Sequence, residues 1–182
     1  MFKAISVFPA IVATLMCVFS LQVQATPSTN ELFSTIAQRL SYMEDVGLYK
    51  SNHHLPIEDV AREEVVIDKA SASAASVGLD RGSVEGFFRA QISAAKAIQY
   101  RYRADLLNEP TSKEPRDLKA EVRPALIALG NQINQEIVEY LKEGGKLSEA
   151  DWNAFSKVLD MNYLSQADKR ALFDALAGIK LQ

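Results

Sequence analysis

The sequence predicts an all-α domain of about six helices, three of them long, on three observations. Apolar residues recur at spacings of three and four through most of the chain beyond residue 30. The gaps between those stretches carry Ser, Asp and Gly, where helices are capped and stopped. No run keeps the two-residue alternation of a strand for long, and no internal repeat is evident. At 182 residues and 48% hydrophobic content, the chain suffices for one domain with a sizeable core and is short for two.

Residues 1–25 differ from the rest. Lys3 is their only charge, an apolar run extends from Ile5 to Leu21, and small residues follow at Val23 and Ala25. This is the layout of a secretory signal peptide cleaved after Ala25, its apolar core being short for a membrane span; an uncleaved anchor is the alternative. The expected mature domain is 26–182, periplasmic or secreted, with no membrane attachment after cleavage. Cleavage removes one positive charge and moves the formal charge from −3 to −4, and nothing in it points to nucleic acid. The one cysteine, Cys17, leaves with the leader, so the mature chain must be stabilised by packing and not by a disulfide.

After the polar lead-in TPSTN, with Thr29 or Asn30 available as a cap, a first helix is expected from about Asn30 to Ser51. At about 100° per residue, Leu32, Phe33, Ile36, Leu40 and Met43 form one stripe, and Arg39 and Lys50 fall inside it. Those two cations point the same way along roughly 16 Å of helix. Burying an unpartnered charge costs several kcal/mol or more, so either partners or an anionic ligand lie opposite. NHHLP then reads as a short connection, because Pro56 disfavours helix at Leu55. The adjacent rings of His53 and His54 cannot share a helix face, which argues against a zinc site.

A second helix, Asp59 to Val77, lines one side with Val66, Ala70, Ala74 and Val77; Glu63 falls within their arc and Arg62 at its edge. Gly78 stops it, and Asp80 or Ser83 caps the next. The third helix, roughly Arg81 to Leu107, carries Val84, Phe87, Phe88, Ala95, Ile98, Tyr102 and Leu106 in one stripe. Gln91 and Gln99 share that face, so each amide is tied to a neighbouring helix or faces a polar cavity. Residues 108–118, NEPTSKEPRDL, read as an exposed loop.

Asp117 can cap a fourth helix with Val122, Leu126, Leu129, Ile133, Ile137 and Leu141 at helical spacing and Arg123 at the edge of the stripe. Pro124 bends or restarts that helix, and Gly144 and Gly145 stop it. Ser148 to Asp151 and Ser165 to Asp168 fit capping boxes for two short terminal helices, with Trp152, Phe155, Leu159, Leu172, Phe173 and Leu176 as core.

The polar groups placed on apolar faces are Arg39, Lys50, Arg62, Glu63, Gln99 and Arg123. Four cations and one acid in a mostly apolar interior describe a pocket for a compact dianion that also carries a hydroxyl. Arginine grips a carboxylate as a fixed fork, lysine supplies a point charge, and glutamine donates a neutral hydrogen bond. No serine–histidine–acid set, metal cluster or glycine-rich phosphate loop accompanies them.

At these residues the sequence resembles the all-helical AroQ-type chorismate mutases, and specifically their exported (gamma) subclass. The matching pieces are AQRL with Arg39, LYK with Lys50, LPIEDVAREE with Asp59, Arg62 and Glu63, and FFRAQISAAKAIQYRYRADL with Gln99. The resemblance covers residues 31–107 well and Asp117 to Ile137 more loosely. It implies the AroQ-type fold and the rearrangement of chorismate to prephenate, a one-substrate reaction with no cofactor, no metal and no covalent intermediate. It further implies that Arg39 and Arg123 bind the two substrate carboxylates and that Lys50 and Gln99 donate to the ether oxygen. Glu63 would accept from the substrate hydroxyl, with Arg62 and the backbone near Asp59 beside it. A homodimer with one complete site per chain is also implied.

Two departures stand out. Some exported members carry glutamate where Gln99 stands, and Ala95 replaces a serine or threonine that the family often places near a carboxylate. Two other readings stay open on the sequence. One is an isochorismate pyruvate lyase on the same scaffold, and the other is a non-catalytic helical binding module whose inward charges pair with each other.

Overall fold

The structure, a computed structural model, describes residues 28–182. The expected leader lies outside the described residues. Among the described residues the regular structure is helical, with no strand, as the periodicity predicts.

The first expected helix is interrupted at one residue, giving α1 (Asn30–Ser41) and α2 (Met43–Asn52). At Tyr42 ψ opens to −12°, away from the helical value near −42°, so the axis bends without a loop. The bend lets one apolar stripe serve two neighbours: α1 packs on α5 (Arg123–Lys142) and α2 on α4 (Arg81–Asp105). Neither Thr29 nor Asn30 caps α1 through its side chain. Thr29 itself lies in the helical region (φ −89°, ψ −6°), and its carbonyl accepts the Phe33 N–H at 2.9 Å.

Asp59 caps α3 (Val60–Ser76) by accepting the Arg62 N–H at 3.0 Å, and Asp80 caps α4 by accepting the Ser83 N–H at 2.9 Å. Between them Gly78 adopts φ +102°, a left-handed conformation that glycine reaches without a Cβ penalty. Helix α4 is the hub, packed against α2, α3 and α7 (Gln166–Ala177). It stops at Asp105, two residues before the expected end.

Asp117 caps a π-helical turn, Leu118–Val122, taking the Lys119 and Ala120 N–H groups at 2.7 and 2.6 Å. The turn delivers the chain into α5 with Pro124 in its first turn, where a missing N–H costs nothing. Pro124 therefore restarts the helix, and Gly144 at φ +82° follows its end. Both predicted capping boxes form: Ser148–Asp151 opens a 3-10 turn (Glu149–Asp151) leading into α6 (Trp152–Val158), and Ser165–Asp168 opens α7. The C-terminus closes on the α3–α4 turn, with the Asp80 N–H donating to the Lys180 carbonyl at 2.8 Å.

The core runs the length of α4 and out to the terminal helices, where Phe33 meets Phe155 edge-on at 5.1 Å and Phe155 meets Phe173 at 5.2 Å. One buried charge lies just beyond the bend. Asp45, on α2, is 5% exposed, and it accepts from Arg116 and pairs with Lys113 at 3.0 Å, both from the 108–117 loop. Burial raises its pKa, but hydrogen bonds from Lys113 and Arg116 outweigh this and hold the carboxyl below the ordinary aspartate value. A depressed folded pKa contributes stability that is present above the unfolded value near pH 3.9 and fades as pH falls through the folded one. Asp45→Ala is expected to destabilise the fold by about 1.5–3 kcal/mol at pH 7 by urea unfolding, a difference that shrinks below about pH 4.

Candidate active site

The two inward cations lie on either side of the bend at Tyr42, Arg39 in the last turn of α1 and Lys50 in the last turn of α2. Both line a cavity of about 320 Å³ bounded by α2, α3, α4 and the start of α5. Asp59, Arg62, Glu63, Gln99 and Arg123 line the same cavity, so all seven residues singled out in the sequence come together. The walls between them are apolar: Met43 and Val46 from α2, Phe88 and Ile92 from α4, and Leu118 and Leu126 beside Arg123.

Arg39 is 7% exposed, and among the described residues no acid is bonded to it. Its Nη1 donates to Gln91 Oε1 at 2.6 Å, and its Nε is buried without a partner. Burial lowers its pKa to about 10, which leaves it a cation at neutral pH. Lys50 is half-buried and donates through Nζ to the Ile57 carbonyl at 2.7 Å. Burial lowers its pKa, the charges of Glu63 and Asp59 oppose that, and Arg123 and Lys96 add to the lowering. Each inward cation is thus anchored by a neutral oxygen, and among the described residues its charge is not consumed by an ion pair.

Glu63 is held differently. Its Oε2 accepts from Lys96 Nζ at 3.0 Å, and its Oε1 accepts the Asp59 N–H at 3.3 Å. Lys96 also reaches Glu58 at 3.5 Å, and its ammonium is held above the ordinary lysine value chiefly by the hydrogen bond to Glu63. Gln99 is 4% exposed; its Nε2 donates to the Ala95 carbonyl at 3.1 Å and faces Met43 Sδ at 3.7 Å. Its Oε1 is buried without a partner. A thioether is a weak acceptor, so the second N–H of Gln99 is available to a better one. Arg62 is exposed at the rim, and Arg123 is half-buried at the junction of the π turn and α5.

Two lining cations were not singled out in the sequence. Lys96 lies three residues before Gln99, one helical turn back on the same face, and that spacing was the signal available. Lys69, seven residues after Arg62, follows it on α3 by two turns. With Arg39, Lys50, Arg62 and Arg123 they give six cations against Asp59 and Glu63. A dianion with an apolar body suits such a cavity, the charges meeting its ends and the walls covering its middle.

Comparison with known proteins points the same way. The family described as "Chorismate mutase type II" matches residues 28–100. A secreted chorismate mutase of Yersinia pestis is 42% identical over 164 residues, which is 90% of this chain and 87% of that protein. A monofunctional chorismate mutase of Enterobacter agglomerans is 41% identical over 156 residues, 85% of each chain. The crystal structure of the secreted chorismate mutase from Yersinia pestis superposes with a TM-score of 0.78 at 41% identity, covering 84% of this chain and 98% of that one.

Proposed function

The chain belongs to the type II chorismate mutase family of enzymes, and we propose that the cavity between α2, α3, α4 and α5 is where it rearranges chorismate to prephenate. The observation that carries this assignment is the state of Arg39 and Lys50: both are drawn into an apolar cavity, and among the described residues neither is neutralised by a bonded acid. In a non-catalytic module with self-paired charges, these two would be the first to pair.

Arg39 and Arg123 take the two carboxylates of chorismate, holding the enolpyruvyl arm over the ring in a reactive conformation. Lys50 and the Gln99 N–H that rests on Met43 Sδ donate to the ether oxygen. Negative charge grows there as the carbon–oxygen bond breaks, so these contacts strengthen in the transition state more than in the ground state. Glu63 accepts from the ring hydroxyl, with Arg62 and the Asp59 backbone beside it. The reaction moves electrons within one substrate, so the side chains bind and polarise without entering a covalent bond.

Lys96 fixes the Glu63 carboxylate at the cavity wall through the 3.0 Å bond to its Oε2. Lys96→Met is expected to lower kcat/KM for chorismate about tenfold and stability by no more than about 1 kcal/mol, since the pair is partly exposed. Steady-state kinetics beside thermal unfolding checks both.

Export to the periplasm or outside the cell is part of the proposal; it rests on the layout of residues 1–25 and on relatives named as secreted enzymes. Among the described residues no helix is long and apolar enough to cross a membrane. A homodimer is proposed as well, each chain supplying its own complete set of site residues, and light scattering of the purified chain checks it.

The deciding experiment incubates purified protein separately with chorismate and isochorismate. Prephenate formed from chorismate is the expected result. Pyruvate released from isochorismate as the main activity would assign a lyase, and no turnover of either would leave a binding module.

A further inference from the structure

Gln91 lies wholly inside the protein, on α4. Its Oε1 accepts from Arg39 Nη1 at 2.6 Å, while its Nε2 is buried without a partner. A buried guanidinium is ordinarily matched by a carboxylate, because a charge removed from water without a counter-charge is costly. An amide satisfies one N–H of Arg39 and leaves the positive charge uncompensated. A glutamate in the same place would be nearly the same shape and would pair with Arg39 in a charge-assisted bond. The amide is therefore the less stabilising choice for the empty protein, and its neutrality needs another explanation.

We infer that Gln91 is a positioning residue for the proposed reaction: it brackets the Arg39 guanidinium at the cavity wall while leaving its full charge for a substrate carboxylate. The inference rests on the reading of the cavity as a chorismate site. Two properties of the amide matter. Its carbonyl sets the direction of the fork, so that Nη1 is occupied and Nη2 is left to the ligand. Its lack of charge keeps Arg39 from being neutralised before substrate arrives. If Gln91 only filled the core, a glutamate there would be neutral or stabilising and would leave substrate affinity alone.

The test compares wild type, Gln91→Glu and Gln91→Met by steady-state kinetics with chorismate at pH 7 and by thermal unfolding. Gln91→Glu is expected to raise KM at least thirtyfold, to change kcat less, and to unfold at the wild-type temperature or above. Gln91→Met keeps the charge of Arg39 but loses the bracket, so kcat/KM is expected to fall at least tenfold, with kcat sharing the loss. A folded Gln91→Glu with wild-type KM overturns the inference. Should Gln91→Glu fail to fold, Gln91→Met decides alone, and an unchanged kcat/KM there overturns it. Wild-type turnover in the same series separates the failures: without it the chorismate reading itself is lost, and with it only the role of Gln91 is at stake.

Discussion

Lys50→Ala lowers kcat/KM for chorismate at least about a hundredfold and leaves a folded chain. Loss of one preorganised donor to a developing oxyanion costs about 2.7–4 kcal/mol, and each 1.36 kcal/mol is about tenfold in rate. The ammonium is anchored at 2.7 Å to the Ile57 carbonyl, so it is positioned before substrate arrives. That anchor also gives the substitution a structural cost, since freeing one carbonyl in the partly exposed 53–59 connection costs about 1 kcal/mol. The two effects separate in the measurement: unfolding shows the second, and kcat shows the first. The lowered pKa of Lys50, due first to burial, sets the alkaline side of the profile. A lysine with a lowered pKa loses its proton earlier as pH rises, so activity is expected to fall at a pH below the ordinary lysine value of about 10.4.

Gln99→Ala is expected to match that loss, at least about a hundredfold in kcat/KM. The side chain is 4% exposed and held by the Ala95 carbonyl of its own helix, so the other N–H, which rests on the weak acceptor Met43 Sδ, points in a fixed direction. An amide donates at any pH, and wild-type activity should therefore change little between mildly acid and neutral pH. Gln99→Glu supplies the contrast, because a carboxyl donates only while protonated: its activity should drop steeply as pH rises toward neutrality. A wild-type profile that falls in the same way would remove Gln99 as the donor.

Much of this site was legible because helical periodicity alone fixes which way a side chain points. Arg39, Lys50, Glu63 and Gln99 were found as polar residues on apolar faces, and the cavity collects all four. What periodicity does not fix is the approach of one helix to another. The Lys96–Glu63 bond joins α4 to α3, and Arg39–Gln91 joins α1 to α4; each depends on interaxial distance as well as on face. Gln91 was recognised as a buried amide, but its partner could not be named from a single helix. The bend at Tyr42 had no glycine or proline to announce it. Pro124 did announce a boundary, though not that the turn before it would be π-helical. The pairing of Asp45 is not written in its own helix, because its partners, Lys113 and Arg116, lie in a loop whose path no local pattern describes.

Cations with no acid partner among the described residues, held in an apolar cavity, are proposed to carry out the rearrangement. The most direct measurement is the initial rate of prephenate formation from chorismate by the dialysed, chelator-treated protein, beside its Lys50→Ala variant. A saturable rate in the first and a loss of at least about a hundredfold in kcat/KM in the folded second are the predicted results. No prephenate from the wild-type chain, or equal rates from the two, would contradict it.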